Sequence, residues 1–220
     1  MKTIAYLLIG SLVVLNFTSC DVKADPLSEQ VLVEDDLLGI AVENEIMQTA
    51  EFLTSPDDLL QEEIDGLMLT REEEGLAKDV YLYFYDQYKL RIFSNIAKSE
   101  TRHTNAVLSL INYFELTDPA TGVSGKFSNA HLGELYVQLT AQGATINDAL
   151  SVGAFIEEYD ISDLESLISN TTNADLKKVY GNLLRASGFH LKAFTNMLKF
   201  HGIIYEPQIL SADVYNLILK

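Results

Sequence analysis

The chain has 220 residues, of which 48% are hydrophobic, while only 12 are Gly and 4 are Pro. This scarcity of turn-forming residues favours long helices over a β-sandwich and predicts an all-α protein. The formal charge of -17 repels phosphate backbones, which argues against nucleic acid as a partner. A solvated acidic surface explains most of that charge, and an acidic interior neutralised by bound cations could account for the rest.

Residues 1–19 have the pattern of an export signal, because Lys2 precedes an apolar run over 4–17 that is too short for a comfortable transmembrane helix. The run ends in F-T-S-C, which resembles the lipobox of bacterial lipoproteins with Phe17 in place of the usual aliphatic residue. This resemblance implies that Cys20 becomes the lipid-bearing first residue of an exported protein, anchored to a membrane of the bacterial cell envelope and facing the periplasm or the cell surface. Ordinary secretion with cleavage near Ser19 is the alternative.

The remaining chain divides into an acidic segment and one folded domain. Residues 20–56 are predicted to form an acidic tether that contains a short amphipathic helix over 36–53. Residues 57–220 are long enough for a single domain with one sizeable core.

Four segments of this domain have the three-and-four spacing of apolar residues that is typical of amphipathic helices. The spacing predicts helices over 59–88, 92–114, 146–169 and 173–201. Thr145 and Asp148 form a variant capping box at the start of the third helix, and Gly202 ends the fourth. A long connection with a short helix over 129–140 separates the second and third helices, so the expected architecture is a four-helix bundle with a long connection.

Each of the four apolar stripes is interrupted by ionisable residues, namely Glu74, then Glu100 with His103, then Glu157, then His190. Three unpaired carboxylates in one core are untenable unless they are protonated, paired with cations or bound to metal. By helical phase, the neighbouring Glu72, Glu73 and Glu158 are expected to face solvent.

The spacing of Glu100 and His103 directs both side chains toward one point, and di-iron and di-manganese carboxylate bundles use the same spacing. Carboxylate and imidazole ligands suit Fe or Mn, whereas the lack of thiol ligands argues against a structural Zn site. The sequence therefore predicts two Fe or Mn ions bound in the core. A solvated acidic helix face is the alternative for the Glu100 and His103 pair.

Several further residues have two interpretations each. Asp160 is predicted to act as an additional metal ligand or to accept a hydrogen bond from a ligand histidine. Tyr81 and Tyr85 are candidate donors to the ligands, with core packing as the alternative. A hydrogen-bonded core histidine is the alternative for His190. We assign no function to the two other histidines, one in the connection and one at a helix end.

Five motifs carry a resemblance to a known family: R-E-E-E-G-L-A-K-D-V-Y over 71–81, I-F-S-N-I-A-K-S-E-T-R-H over 92–103, G-A-F-I-E-E-Y-D-I-S-D-L over 153–164, N-L-L-R-A-S-G-F-H-L-K-A-F over 182–194 and Y-E-P-Q-I-L-S over 205–211. With them, residues 67–218 resemble the DUF2202 family of uncharacterised bacterial and archaeal ferritin-like proteins. The resemblance implies a fold but no established reaction.

The wider ferritin-like superfamily implies Glu, E-x-x-H, Glu and E-x-x-H on four successive helices. These positions match Glu74, Glu100, His103, Glu157 and His190. Ser187 stands in place of the fourth-helix Glu, and the remaining three Glu and two His resemble the ligand set of manganese catalases. The first hypothesis for the function is therefore a metalloenzyme whose two ions carry out redox chemistry on a small-molecule oxidant, peroxide or dioxygen. The alternative is an envelope binding or structural protein that holds metal or keeps a vestigial site, and the sequence leaves open whether it forms a homo-oligomer.

Overall fold

A computed structural model describes residues 59–220, and the regular secondary structure of this part of the chain is helical throughout. Its helices are α1 (Gln61–Tyr88), α2 (Arg91–Tyr113), α3 (Ala130–Gln142), α4 (Ile146–Asn170), α5 (Ala174–Phe200) and α6 (Ala212–Ile218). The all-α prediction is confirmed, and the five predicted helices of the domain agree with α1 to α5 to within two residues at each end. The export signal, Cys20, the tether and the helix predicted over 36–53 lie outside the described residues.

Local sequence explains where the long helices begin and end. Lys89 adopts a left-handed conformation with φ 53° and donates its N–H to the Tyr85 carbonyl, which ends α1. At the start of α4, the Thr145 hydroxyl accepts the Asp148 N–H while the Asp148 carboxylate accepts the Thr145 N–H, so the predicted capping box is confirmed. Asn173 caps α5 by accepting two backbone N–H groups with its side chain.

Contacts between helices define their relative directions. Two-residue and three-residue connections make α1 and α2, and likewise α4 and α5, antiparallel neighbours. Gly66 of α1 faces Leu167 of α4 and Tyr81 faces Gly153, so α1 and α4 are also antiparallel. The helices α2 and α5 contact each other as well. It follows that α2 and α4 run in the same direction and are joined by a connection over 114–145, whose helix α3 packs on α1 and α4.

A layer of polar side chains divides the apolar core of the four long helices into two clusters. One cluster contains Phe84, Phe93 and Phe194, and the other contains Leu110 and Leu183. On α2, for example, the buried apolar residues before Glu100 belong to the first cluster, and those after His103 belong to the second. The polar layer therefore lies near the middle of the helices, enclosed by apolar packing on both sides.

The C-terminal tail, residues 201–220, is tied to α4 by Glu158. Its carboxylate accepts the Tyr205 hydroxyl and the backbone N–H groups of Gln208, Ile209 and Leu210. The expectation that Glu158 faces solvent is wrong, because the tail covers this face of α4 and leaves the side chain 0% exposed. None of the helices in the described part of the chain is long and apolar enough to span a membrane.

Candidate metal centre

The structure brings together the side chains of Glu74, Glu100, His103, Glu157 and His190, and all five are buried. They form two groups of three, each with its candidate ligand atoms within 4.8 Å of one another. The first group joins Glu74, Glu100 and His103, and the second joins Glu100, Glu157 and His190. Glu100 is thus common to both groups and lies between the two histidines.

The two oxygens of Glu100 face different partners. Oε2 lies 2.7 Å from His103 Nδ1, which is also 3.0 Å from Glu74 Oε2. Oε1 lies 2.9 Å from His190 Nδ1, which is also 3.4 Å from Glu157 Oε2. The imidazole rings stack with their centroids 5.6 Å apart. One carboxylate therefore connects two sites of matching composition, each with one imidazole and one further carboxylate.

Three polar atoms of the second group have no hydrogen-bond partner within the described residues: Glu100 Oε1, Glu157 Oε2 and His190 Nδ1. They are close to each other, but their geometry does not satisfy hydrogen-bond criteria. Ligands about 2.1 Å from a shared metal ion are roughly 3 Å apart at a right angle, which is the spacing seen here. The buried Glu and His side chains could therefore hold a metal ion, and their donor atoms are those that Fe and Mn accept.

Burial and mutual charge shift the pKa values of these groups strongly. Burial, reinforced by the charge of Glu100, raises the pKa of Glu74 to about 8, although His103 opposes the shift. Burial lowers the pKa of His190, but the charges of Glu157 and Glu100 outweigh it and raise the value to about 10. Burial also disfavours the Glu100 anion, yet His103 and His190 together hold its pKa below the usual range. Without metal, Glu100 is thus the counter-ion of two imidazoles.

Tyr81 lies beside this centre and donates its hydroxyl proton to Glu157 Oε1 across a distance of 2.5 Å. Burial, followed by the charge of Glu157, raises the pKa of Tyr81 well above its usual value, so the phenol remains a neutral donor. Of the two candidate tyrosines, Tyr81 contacts a ligand, whereas the half-buried Tyr85 ring lies under the Lys89 ammonium group at 5.7 Å.

Asp160 is buried next to the centre but belongs to neither group of candidate ligands. Its Oδ2 has no hydrogen-bond partner within the described residues. Burial raises its pKa well above the usual value, and the charges of Glu74 and Glu157 add to this effect. Asp160 is therefore close to both ligand groups without belonging to either of them.

Glu72 and Glu73 do not face solvent, contrary to the expectation from helical phase, because each is only 6% exposed. Glu72 accepts the backbone N–H groups of Ser128 and Asn129 just before α3. The long connection and α3 cover the face of α1 that a simple four-helix pattern leaves open. All three glutamates of the R-E-E-E motif are buried. Residue type and burial alone therefore do not indicate which of them belongs to the candidate metal centre.

The remaining residues considered from the sequence lie away from the ligand groups. His131 and His201 are exposed, and His201 Nδ1 lies 2.6 Å from the side-chain oxygen of Asn147. Ser187 is buried one helical turn before His190. It occupies the position at which the resemblance to ferritin-like proteins implied a carboxylate.

The fold and the site define an all-helical protein with a buried carboxylate and imidazole cluster. A family described as "Uncharacterized protein domain (DUF2202)" matches residues 63–220, and the chain belongs to this family, as its motifs predicted. The chain is 47% identical over 162 residues to the uncharacterized protein MJ0754 of Methanocaldococcus jannaschii, a match that covers 73% of this chain and 88% of the relative. The crystal structure of hypothetical protein MJ0754 from Methanococcus jannaschii DSM 2661 is similar, with a TM-score of 0.72 at 45% identity over 73% of this chain and 93% of that chain.

Proposed function

We propose that residues 59–220 form a ferritin-like four-helix bundle that binds two Fe or Mn ions in its core. The helix directions support this fold, because α2 and α4 run in parallel and are joined by a long crossover, as in bundles of that kind. The position of the ligands at mid-helix, on the facing sides of four helices, also matches how such bundles build metal sites.

The single observation that carries the proposal is the position of the Glu100 carboxylate. Each of its oxygens lies within 3 Å of a different histidine, and each histidine has a second carboxylate close by. In the proposed centre Glu74, Glu100 and His103 would hold one ion, and Glu100, Glu157 and His190 would hold the other. A site for one ion would use only one of these two groups of three residues.

Two bound Fe or Mn ions would supply redox chemistry on a small-molecule oxidant, peroxide or dioxygen. The side chains of the protein hold and tune the site. Tyr81 orients Glu157 by donating a hydrogen bond to the oxygen that faces away from His190. The two apolar clusters on either side limit the access of water and keep the ligands in fixed rotamers.

Metal analysis of purified protein tests this function directly. The parent protein, loaded with Mn²⁺ or with Fe²⁺ under anaerobic conditions and then desalted, should retain two ions per chain, and the Glu100→Gln variant should retain fewer. Glu165→Gln is a suitable control, because Glu165 is an exposed acid on α4. The loaded parent should then consume hydrogen peroxide or dioxygen faster than the metal-free protein. Failure of the parent to retain either metal would rule out the centre.

A protein that holds metal without catalysis is the second candidate, and Ser187 is the observation that favours it. A buried serine at this position leaves the His190 side of the centre with one carboxylate fewer than the superfamily pattern. A binding or structural role, or a vestigial site, would then explain the fold. Full metal retention without peroxide or dioxygen consumption would support this candidate over the enzyme.

The sequence also supports a location for the protein. The N-terminal pattern that ends at Cys20 supports export to the bacterial cell envelope and attachment to a membrane through a lipid at that residue. Residues 20–56 would then separate the folded domain from the membrane surface.

A further inference from the structure

Three more acidic side chains lie between α1 and α4, outside the two groups of candidate ligands. Glu73 and Asp160 are each 6% exposed, and Asp163 is half-buried. Glu73 Oε1 and Asp160 Oδ2 have no hydrogen-bond partner within the described residues. Both side chains line one small cavity of about 10 Å³, which is enough for roughly one water molecule or one ion of similar size.

The charges of these acids act on one another from the half-buried Asp163 inward to the centre. At the outer end, the Asp163 and Glu73 carboxylates are within hydrogen-bonding reach of each other. At the inner end, Asp160 is close enough to Glu73, Glu74 and Glu157 for their charges to repel it. The carboxylates of Glu73 and Asp160 therefore lie between the half-buried Asp163 and Glu74. Glu74 belongs to the first ligand group.

Most of the remaining cavity lining is apolar, and Tyr159 of α4 also contributes to it. Leu132, Leu135 and Leu139 of α3 cover it, together with Leu76 of α1 and Phe155 of α4. An ion inside it would find anionic oxygen ligands only on the carboxylates of Glu73 and Asp160 among the residues that line it. Carboxylates held together in such a place are stabilised by a cation, because each charge acting on Asp160 comes from another carboxylate.

We propose that Asp163, Glu73 and Asp160 form an entry path along which divalent cations pass between α1 and α4 to the metal centre. The inference rests on the proposed function, since a path requires a centre to fill. Carboxylate oxygens are hard ligands suited to Mn²⁺ and Fe²⁺, and ions held only transiently can move on to a site with additional imidazole ligands. The path controls the rate of loading, whereas the centre controls the final occupancy.

Stopped-flow mixing of metal-free protein with Co²⁺ tests the path, because Co²⁺ bound by carboxylate and imidazole absorbs visible light. Glu73→Gln and Asp163→Asn should each slow loading roughly tenfold, the lower end of the effect of a charged cleft on association rates. Their final Co²⁺ content should equal that of the parent. Glu165→Gln, which removes an exposed charge from the same helix, should load at the parental rate.

The possible outcomes separate the path from the centre. Parental loading rates in both path variants, with full final occupancy, would overturn the path and leave the proposed function intact. A loss of final occupancy in Glu73→Gln with a parental rate in Asp163→Asn would also overturn it, because Glu73 would then support the centre itself. A parent that takes up no Co²⁺, Mn²⁺ or Fe²⁺ would overturn both proposals. Asp163 is only half-buried, so its variant should fold even if Glu73→Gln does not.

Discussion

The hydroxyl of Tyr81 on α1 lies 2.5 Å from Oε1 of Glu157 on α4, where it donates a hydrogen bond inside the core. In Tyr81→Phe, Glu157 loses this donor but remains buried. The metal-free variant should therefore be less stable by about 1 to 3 kcal/mol, the usual cost of an unsatisfied buried polar group. Its metal affinity should also fall, by roughly tenfold or more, because Tyr81 orients a ligand.

Urea denaturation and metal titration would measure these two effects. Tyr85→Phe is the matched control, since the aromatic ring beside Lys89 is retained. Equal losses in both variants would show that the Tyr81 hydroxyl has no special relation to Glu157.

Metal should stabilise the parent protein more than it stabilises Glu100→Gln. Binding to the folded state alone raises the melting temperature by mass action, and Glu100 is the residue that both ligand groups share. The metal-free variant should also be destabilised, by roughly 3 kcal/mol, because His103 and His190 lose a buried counter-ion.

Thermal melts of the parent, Glu100→Gln and Glu165→Gln, with and without Mn²⁺, provide the measurement. The exposed Glu165 is a better control than a residue of the R-E-E-E motif, because Glu72 is buried against backbone N–H groups. Identical melting temperatures with and without metal in all three proteins would contradict the metal centre.

The metal-free protein should lose stability as the pH rises from about 5 to 9. The pKa of Glu74 rises from an ordinary 4.5 to about 8 in the folded state, so the folded protein holds this proton more tightly than the unfolded chain does. The pKa of His190 rises from 6.5 to about 10. Its contribution to the free energy of unfolding is complete below pH 6.5 and is lost as the pH rises through 10. The depressed pKa of Glu100 affects the stability of the protein only below this pH range.

Urea denaturation at several pH values would measure this slope. In His190→Asn the contribution of His190 to the slope, between pH 6.5 and 10, should disappear, while the contribution of Glu74 should remain up to about pH 8. Metal affinity should change in the opposite direction and increase over the same range, because ligands must release protons to bind. A metal-free protein whose stability rises with pH would contradict the assignment of these protons.

Gly153 should not tolerate a side chain. A Cβ atom there would lie 2.6 Å from the ring of Phe194, which is buried and packs against Tyr81 and Phe93. Gly153→Ala should therefore destabilise the protein by about 1 to 3 kcal/mol through overpacking. Gly181→Ala, on α5 where no atom lies within 4 Å, should instead stabilise it by up to about 1 kcal/mol. Chemical denaturation of both variants would show whether the signs differ.

The proposed lipid anchor predicts a modified N-terminus. Mass spectrometry of the mature protein from a bacterial envelope fraction should find Cys20 as the first residue, with a mass increase from attached acyl chains. Cys20→Ser should abolish this modification and release the protein from the membrane fraction. An unmodified Cys20 in the mature parent would support ordinary secretion instead.

The helices and the candidate ligands were predictable because both follow from periodicity. Glu100, His103 and His190 interrupt apolar stripes at a spacing of three or four residues, and such a pattern survives in the folded structure. The helix α6 was not predicted, because its seven residues are too few for a clear period.

The solvent exposure predicted from helical phase was wrong where a short helix or the C-terminal tail covers one face of a long helix. Glu73 and Glu158 were expected to face solvent, yet α3 packs on α1 and the tail packs on α4. Periodicity describes one helix at a time and does not report contacts made by a distant loop. The sequence offers one signal of the acidic side chains between α1 and α4. It is the presence of the R-E-E-E motif on one helix and of the acidic G-A-F-I-E-E-Y-D-I-S-D-L motif on the other.

The hydrogen bonds of Glu158 with the tail also restrict the neighbouring Glu157. Successive residues of an α-helix project about 100° apart, so any roll of α4 about its own axis would move Glu157 and Glu158 together. Because the Glu158 carboxylate accepts three backbone N–H groups and one hydroxyl of the tail, such a roll would break all of these bonds. The C-terminal tail thus resists rotation of α4 and keeps Glu157 oriented toward His190.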